Sequence, residues 1–156
     1  MSDIGVARLR SWGIAGIVLD LDNTIVPWHT AQLAADVEPW ISTVRGERIR
    51  LCLLTNNHGA QAVSVAQRLS APIVRAALKP NPLAFRRAAA LLEAPPSACL
   101  VVGDQLFTDV LGAKLVGMRA VLVEPIGGRE FPTTKIMRAM EQPILRYLRR
   151  QGRLAS

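Results

Sequence analysis

Polar side chains that could take part in catalysis or metal binding lie at the ends of short apolar runs in this 156-residue sequence. The first run ends in Asp20 and Asp22, and a later run is followed by Asp104 and, five residues on, by Asp109. Residues two apart on a strand share one face, and at the strand end both can reach one pocket. Converging carboxylates repel one another, and a hard divalent cation such as Mg²⁺ relieves that repulsion.

Two further runs add groups that favour an anion. Thr55 and Asn56 follow the second run just before a predicted helix, whose free N–H groups and dipole attract negative charge. Lys79 supplies a positive charge in the loop after the third run. Acids, a cation, a hydroxyl and a lysine at one place are typical of phosphoryl transfer, in which an aspartate can attack phosphorus and form an aspartyl-phosphate.

Five apolar runs are continuous rather than alternating, as expected for strands buried on both faces. They are Ile17–Leu21, Leu51–Leu54, Ile73–Ala76, Leu100–Val102 and Ala120–Val123. Helical patterns separate them: one opening near Pro39, Gly59–Leu69, one from Pro82 to before Pro95, and Phe107–Val116. This alternation predicts an α/β fold, a three-layer Rossmann-like parallel sheet of about five strands with helices on both faces. Such sheets bind ligands at the carboxyl ends of their strands.

The composition fits one folded domain. Half of the residues are apolar and a fifth are charged, which excludes a disordered chain. No apolar run approaches the roughly 18 residues of a spanning helix, and no secretory pattern opens the chain, so we expect a cytoplasmic protein. Cys52 and Cys99 lie inside apolar runs without a CxxC pattern, which disfavours a disulfide scaffold and a zinc site.

The basic charge is concentrated near the C-terminus. The net charge is +7, of which residues 129–156 carry +5 and residues 1–128 carry +2. We predict a catalytic domain over 1–128 and a basic amphipathic tail of the same domain over 129–156. An apolar stripe in the tail lets it lie peripherally on an anionic membrane, pack on the domain or on another subunit, or serve only solubility. Few aromatic residues make nucleic acid an unfavoured partner, and the oligomeric state is left open.

The four strand ends, taken in order, resemble the motifs of the haloacid dehalogenase (HAD) superfamily of aspartate-nucleophile phosphatases. The motifs stand as DLDNT from Asp20, LLTNN around Thr55, KPNP from Lys79 and GDQLFTD around Asp104. The resemblance covers about residues 14–124. Within the superfamily, the sequence around the motifs is similar to the YqeG-type branch of the class IIIA phosphatases, which resembles the phosphatidylglycerophosphate phosphatases. The gaps between motifs are too short for a cap domain, so the resemblance implies a HAD-like fold without one.

The resemblance also implies roles for the matching residues. Asp20 would be the nucleophile, and Asp22 the general acid and base that protonates the leaving oxygen and later activates water. Thr55 and Asn56 would bind the phosphoryl group, and Lys79 would steady the charge of the nucleophile and the phosphate.

A metal site follows from the same resemblance. Mg²⁺ would be held by the Asp20 carboxylate, the Asp22 main-chain carbonyl and Asp104. Asp109 is expected just behind these ligands. The contributions of His29, His58 and Trp28, which lie near the motifs, are left open, although core packing is an equal alternative for Trp28.

These residues predict a Mg²⁺-dependent phosphomonoester hydrolase that acts through an aspartyl-phosphate. The resemblance suggests a lipid phosphate such as phosphatidylglycerophosphate as the substrate. A soluble phosphomonoester is the alternative substrate. A HAD-fold binding module that holds an anionic partner through its basic tail is a second alternative, but a retired site should have lost some of its acids or its lysine.

Overall fold

A computed structural model describes residues 4–28, 30–126, 141–144, 146–147 and 150. Its centre is a five-stranded parallel sheet in the order β3-β2-β1-β4-β5. The strands are β1 Gly16–Leu19, β2 Arg50–Leu54, β3 Ile73–Val74, β4 Cys99–Gly103 and β5 Arg119–Leu122. The predicted parallel sheet of about five strands is therefore confirmed.

Helices cover both faces of this sheet. They are α1 Val6–Ser11, α2 Val37–Gly46, α3 Ala60–Arg68, α4 Pro82–Leu91 and α5 Leu111–Leu115, with a 3₁₀ turn at Pro96–Ala98 and a π-helical turn at Leu106–Val110 that runs into α5. Residues 141–144, 146–147 and 150 are also helical. Apolar residues of α1, α2 and α3 form one core with the sheet, and those of α4 and α5 form a second core on the other face. Within these described ranges no separate cap interrupts the strand–helix alternation.

Strand β1 lies in the middle of the sheet, and its position explains its uninterrupted apolar sequence. Ile17 pairs with Leu51 of β2 on one side and with Leu100 of β4 on the other. Ile17 and Leu19 belong to the first core, whereas Val18 belongs to the second. Because both faces of β1 are covered, every side chain of the strand is buried.

The structure corrects the bounds of several predicted elements. The first strand ends at Leu19 rather than at Leu21, and β3 spans only Ile73–Val74 rather than Ile73–Ala76, with Ala76 in the left-handed region at a φ of 52°. The predicted helix over Phe107–Val116 begins instead with the π-helical turn. Helix α1 was not predicted, because six residues with one buried side chain show too little periodicity.

The tryptophans near the first core pack as framework residues. Trp40 is buried and donates its indole N–H to the carbonyl of Ile4 at 2.9 Å. Trp12 packs at the edge of the same core, and the guanidinium groups of Arg8 and Arg119 lie 5.9 and 5.7 Å from the centre of a Trp12 ring. Trp40 and Trp12 therefore both contribute to packing. The Trp12 ring, which is partly exposed, also makes cation–π contacts.

Cys52 and Cys99 are buried and unbonded. Burial, followed by the neighbouring Cys99, raises the pKa of Cys52 to about 12, so the thiol stays protonated. No helix in the described ranges is long and apolar enough to cross a bilayer. Of the predicted tail over 129–156, only residues 141–144, 146–147 and 150 are described, and the rest of it lies outside the described residues, as does His29.

Helices α4 and α5 approach each other so closely that one position admits only glycine. A Cβ added at Gly112 would lie 2.2 Å from Cε2 of the Phe85 ring, which is fully buried. We therefore expect Gly112→Ala to lower the free energy of unfolding by about 1–3 kcal/mol, measured by urea denaturation.

Gly46 provides the matched control, because nothing lies within 4 Å of a Cβ added there at the end of α2. Gly46→Ala should leave stability unchanged or raise it by up to about 1 kcal/mol. Equal unfolding midpoints for Gly112→Ala and the unsubstituted protein would contradict the close packing of α4 on α5.

Candidate active site

Asp20 follows β1 directly and lies at the carboxyl edge of the sheet. Its backbone N–H donates to Val102 of β4 at 2.9 Å, which extends the sheet pairing by one residue and fixes the start of the loop. Thr24 Oγ1 lies 2.9 Å from Asp20 Oδ2 and 3.4 Å from Asp104 Oδ1, so one hydroxyl links the first and fourth strand ends. The loop returns through Asn23, whose φ of 63° lies in the left-handed region that Asn tolerates.

Asp22 is half-buried and faces the second strand end. Its Oδ2 lies 3.3 Å from Thr55 Oγ1, and its Oδ1 lies 3.4 Å from Asn57 Nδ2. Burial and the nearby Asp20 carboxylate raise the pKa of Asp22, and the bonds from Asn57 and Thr55 oppose that rise. The environment thus favours a proton on Asp22 more than water does.

The loop after β2 is organised by its own polar side chains. Thr55 Oγ1 accepts the N–H of Asn57 at 2.9 Å, and Asn56 Oδ1 accepts the N–H of Lys79 at 2.8 Å. Helix α3 begins at Ala60, one residue after the predicted start at Gly59, so Thr55 and Asn56 precede it by five and four residues. Asn56 connects the second strand end to the lysine loop, and its role in phosphate binding stays a prediction.

Lys79 lies at the centre of the acidic groups. Its Nζ donates to Asp20 Oδ1 and, at 2.7 Å, to Asp109 Oδ1, and only 4% of its side chain is exposed. Burial alone would lower the pKa of Lys79, but the charges of Asp109 and Asp20 outweigh burial and raise it. The two carboxylates therefore favour the charged form of Lys79.

Asp104 and Asp109 complete the cluster from the fourth strand end. Asp109 is fully buried in the π-helical turn, and its Oδ2 accepts the N–H of Gln105 at 3.1 Å. Gly103 makes this position possible, because a Cβ there would lie 2.3 Å from Asp109 Cγ. Burial raises the pKa of Asp109, and the adjacent Lys79 opposes that shift.

One carboxylate oxygen from each of Asp20, Asp104 and Asp109 lies within 4.8 Å of the others. Three buried carboxylates beside a single ammonium leave an excess of negative charge, and oxygen donors of this kind suit a hard divalent cation. The donor set therefore fits Mg²⁺. Asp109 contributes one oxygen to this group, and whether it binds the metal directly or lies behind the ligands stays a prediction. The Asp22 side chain is turned toward Thr55 and Asn57.

The structure brings together Asp20, Asp22, Thr55, Lys79, Asp104 and Asp109. It also adds Thr24 and Asn57, to which the sequence pattern assigned no role although both stand inside the motifs. His58 is exposed, and its carbonyl accepts from Arg75 at 3.3 Å. Trp28 is half-buried and donates its backbone N–H to Asn23 Oδ1 at 3.2 Å.

The chain is similar to known hydrolases and phosphatases. Residues 77–128 match the family model described as HAD-hydrolase-like. The chain is 32% identical to the probable phosphatase YqeG of Bacillus subtilis over 94% of its own length and 86% of that protein. It is 29% identical to human N-acylneuraminate-9-phosphatase over 72% of the chain and 51% of that protein. The crystal structure of a HAD phosphatase from Thermococcus onnurineus superposes with a TM-score of 0.55 at 28% identity, over 65% of this chain and 51% of that one.

Removing the buried ammonium should destabilise the fold. In Lys79→Met the carboxylates of Asp20 and Asp109 would stay buried without their cation, which costs about 3–5 kcal/mol when one partner of a buried ion pair is lost. Urea denaturation in metal-free buffer measures this change. Lys114→Met, on an exposed position of α5, is the matched control. A loss for Lys79→Met of under about 1 kcal/mol, the scale of a surface pair, would contradict the buried arrangement.

Proposed function

Because the chain belongs to the HAD-like phosphatase family, we propose that this phosphatase hydrolyses phosphomonoesters through a phosphorylated Asp20, with Mg²⁺ bound beside it. The observation that carries the proposal is that both oxygens of the Asp20 carboxylate are held by neighbouring side chains. Lys79 Nζ contacts Asp20 Oδ1, and Thr24 Oγ1 contacts Asp20 Oδ2. A carboxylate fixed at both oxygens is oriented for attack on a phosphorus atom before substrate arrives.

In the first step an Asp20 oxygen attacks phosphorus and the bond from phosphorus to the ester oxygen breaks. Asp22 gives its proton to the departing ester oxygen, in keeping with a raised pKa that keeps this acid protonated more readily than in water. In the second step Asp22 takes a proton from water, and the resulting hydroxide attacks the phosphorus. Phosphate leaves, and the Asp20 carboxylate is restored.

Asp20, Asp104 and Asp109 would hold the metal ion by their carboxylates, and the Asp22 main-chain carbonyl is a further expected ligand. When bound, Mg²⁺ offsets negative charge on the phosphoryl oxygens. Lys79 contributes a second positive charge at the same place, since its Nζ already lies against Asp20. Thr55 can turn its hydroxyl from Asp22 to a phosphoryl oxygen, because that contact is long at 3.3 Å.

Loss of the nucleophile should abolish turnover. We expect Asp20→Asn to lower hydrolysis of an aryl phosphate in the presence of Mg²⁺ by at least about a thousandfold, because an amide cannot form the acyl-phosphate. Phosphate release is the measurement, and Glu93→Gln, on an exposed surface ion pair with Arg50, is the control.

The same assay also tests the metal requirement. Chelation by EDTA should stop turnover by the unsubstituted protein, and added Mg²⁺ should restore it. Activity of Asp20→Asn equal to that of the unsubstituted protein would overturn the proposed nucleophile. Full activity in EDTA would overturn the metal requirement.

For the substrate we propose a lipid phosphate, of which phosphatidylglycerophosphate is an example. Two large apolar side chains flank the lysine loop: Leu78 is 71% exposed and Leu83 is 68% exposed. Arg86 and Arg87 are exposed on α4, three and four residues after Leu83. Exposed leucines beside basic residues at an open site suit the apolar and anionic surface of a membrane. Contact through residues 129–156 remains a separate prediction.

The leucine pair separates lipid-borne from soluble substrates. Leu78→Ser with Leu83→Ser should slow hydrolysis of phosphatidylglycerophosphate in vesicles by about tenfold or more, since each inserted leucine contributes about 1.5–3 kcal/mol. Aryl phosphate turnover should not change. Leu91→Ser with Leu115→Ser is the control pair, since both leucines are exposed at the far ends of α4 and α5. Equal turnover of vesicles by both pairs would favour a soluble phosphate ester.

A further inference from the structure

A carboxylate from the C-terminal part of the chain is buried against the active-site domain. Glu141, in the helical residues 141–144, is 1% exposed. Taking a carboxylate out of water costs several kcal/mol unless hydrogen bonds or charges compensate. The contacts that Glu141 makes must therefore compensate for the loss of water. One of them reaches the segment that carries two of the site acids.

Glu141 Oε1 accepts the backbone N–H of Phe107 at 2.9 Å, across 34 residues of sequence. Phe107 is the second residue of the continuous helical stretch formed by the π-helical turn and α5. The first N–H groups of a helix have no partner within it, and a carboxylate there also interacts favourably with the helix dipole. Gln105, at the capping position, makes no side-chain capping bond. Glu141 thus caps this helix from a distant segment.

The capped turn is the one that positions the metal-binding acids. Asp109 lies two residues after Phe107 in the same turn, and Asp104 lies three residues before it. Gln105 N–H donates to Asp109 Oδ2, so the backbone next to Phe107 already holds this carboxylate in place. A shift of the turn at Phe107 would move the Asp109 carboxylate relative to Asp20 and Asp104.

We propose that Glu141 is a positioning residue for the Mg²⁺ site, acting through the backbone of the π-helical turn. The C-terminal segment is then part of the catalytic unit, because its carboxylate fixes the distance between the acids that hold the metal. This inference rests on the proposed function only in taking the bound ion to be Mg²⁺. It places no contact between Glu141 and the substrate.

Calorimetric titration of the full chain with Mg²⁺ tests the inference without any need for turnover. We expect Glu141→Ala to raise the Mg²⁺ dissociation constant about tenfold, as for other residues that orient metal ligands. Gln142→Ala is the matched control, since its side chain is exposed on the same segment, and it should stay within about twofold. Glu141→Gln keeps an acceptor oxygen without the charge and should lie between them, at about threefold.

Turnover supplies the second readout. The kcat of Glu141→Ala on an aryl phosphate should recover at saturating Mg²⁺, with KM for the substrate unchanged, whereas a general loss of structure would lower kcat at every Mg²⁺ concentration. If Glu141→Ala does not fold, Glu141→Gln decides, and a dissociation constant equal to that of the unsubstituted protein overturns the inference. A chain that binds Mg²⁺ but hydrolyses no phosphate ester refutes the proposed function and leaves the positioning role supported. A chain that binds no Mg²⁺ overturns the positioning role.

Discussion

The whole site depends on one buried ammonium group held between carboxylates. Asp20 follows β1 and Asp109 lies in the π-helical turn after the neighbouring strand β4, and their charges would repel one another in a medium with little water to screen them. Lys79 enters from the loop after β3 and contacts both, so the attraction links the segments that follow three different strands. The same contacts hold Lys79 in its charged form. The cation therefore organises the fold at this edge and prepares a positive charge for phosphate.

An excess of negative charge nevertheless remains around Lys79. Asp104 adds a third carboxylate near those of Asp20 and Asp109, and the hydroxyl of Thr24 is placed between two of the three. A divalent cation bound to these carboxylates would offset that excess charge. The carboxylates that are costly to bury are thus the same groups that we propose as metal ligands and nucleophile.

Much of this arrangement could be predicted from the sequence because parallel strands bring their carboxyl ends to a single edge. Asp20, Thr55 and Asp104 each follow an apolar run, so finding the strands was enough to bring these residues together. Asp109 was harder to place, because its orientation depends on the π-helical turn and on the missing side chain at Gly103. Neither feature leaves a periodic pattern that separates it from an ordinary helix start.

Contacts between distant segments could not be predicted in this way. The bond from Phe107 to Glu141 joins residues 34 apart, and Glu141 stands in a stretch for which the sequence left packing on the domain, membrane contact and solvation all open. Asn56 likewise has the sequence environment of a helix cap, yet its side chain accepts from the backbone of Lys79. Sequence propensities describe the hydrogen bonds that a side chain can form with its neighbours along the chain. Which distant partner it binds depends on how the whole chain packs.

The order of the strands has a consequence for the borders of the sheet. Strand β1, which Asp20 follows, is innermost with two strands on either side, and among the described residues the outermost strands β3 and β5 each pair on one edge. A further strand added at either border would hydrogen-bond to β3 or β5 and would leave the pairing of β1 unaltered.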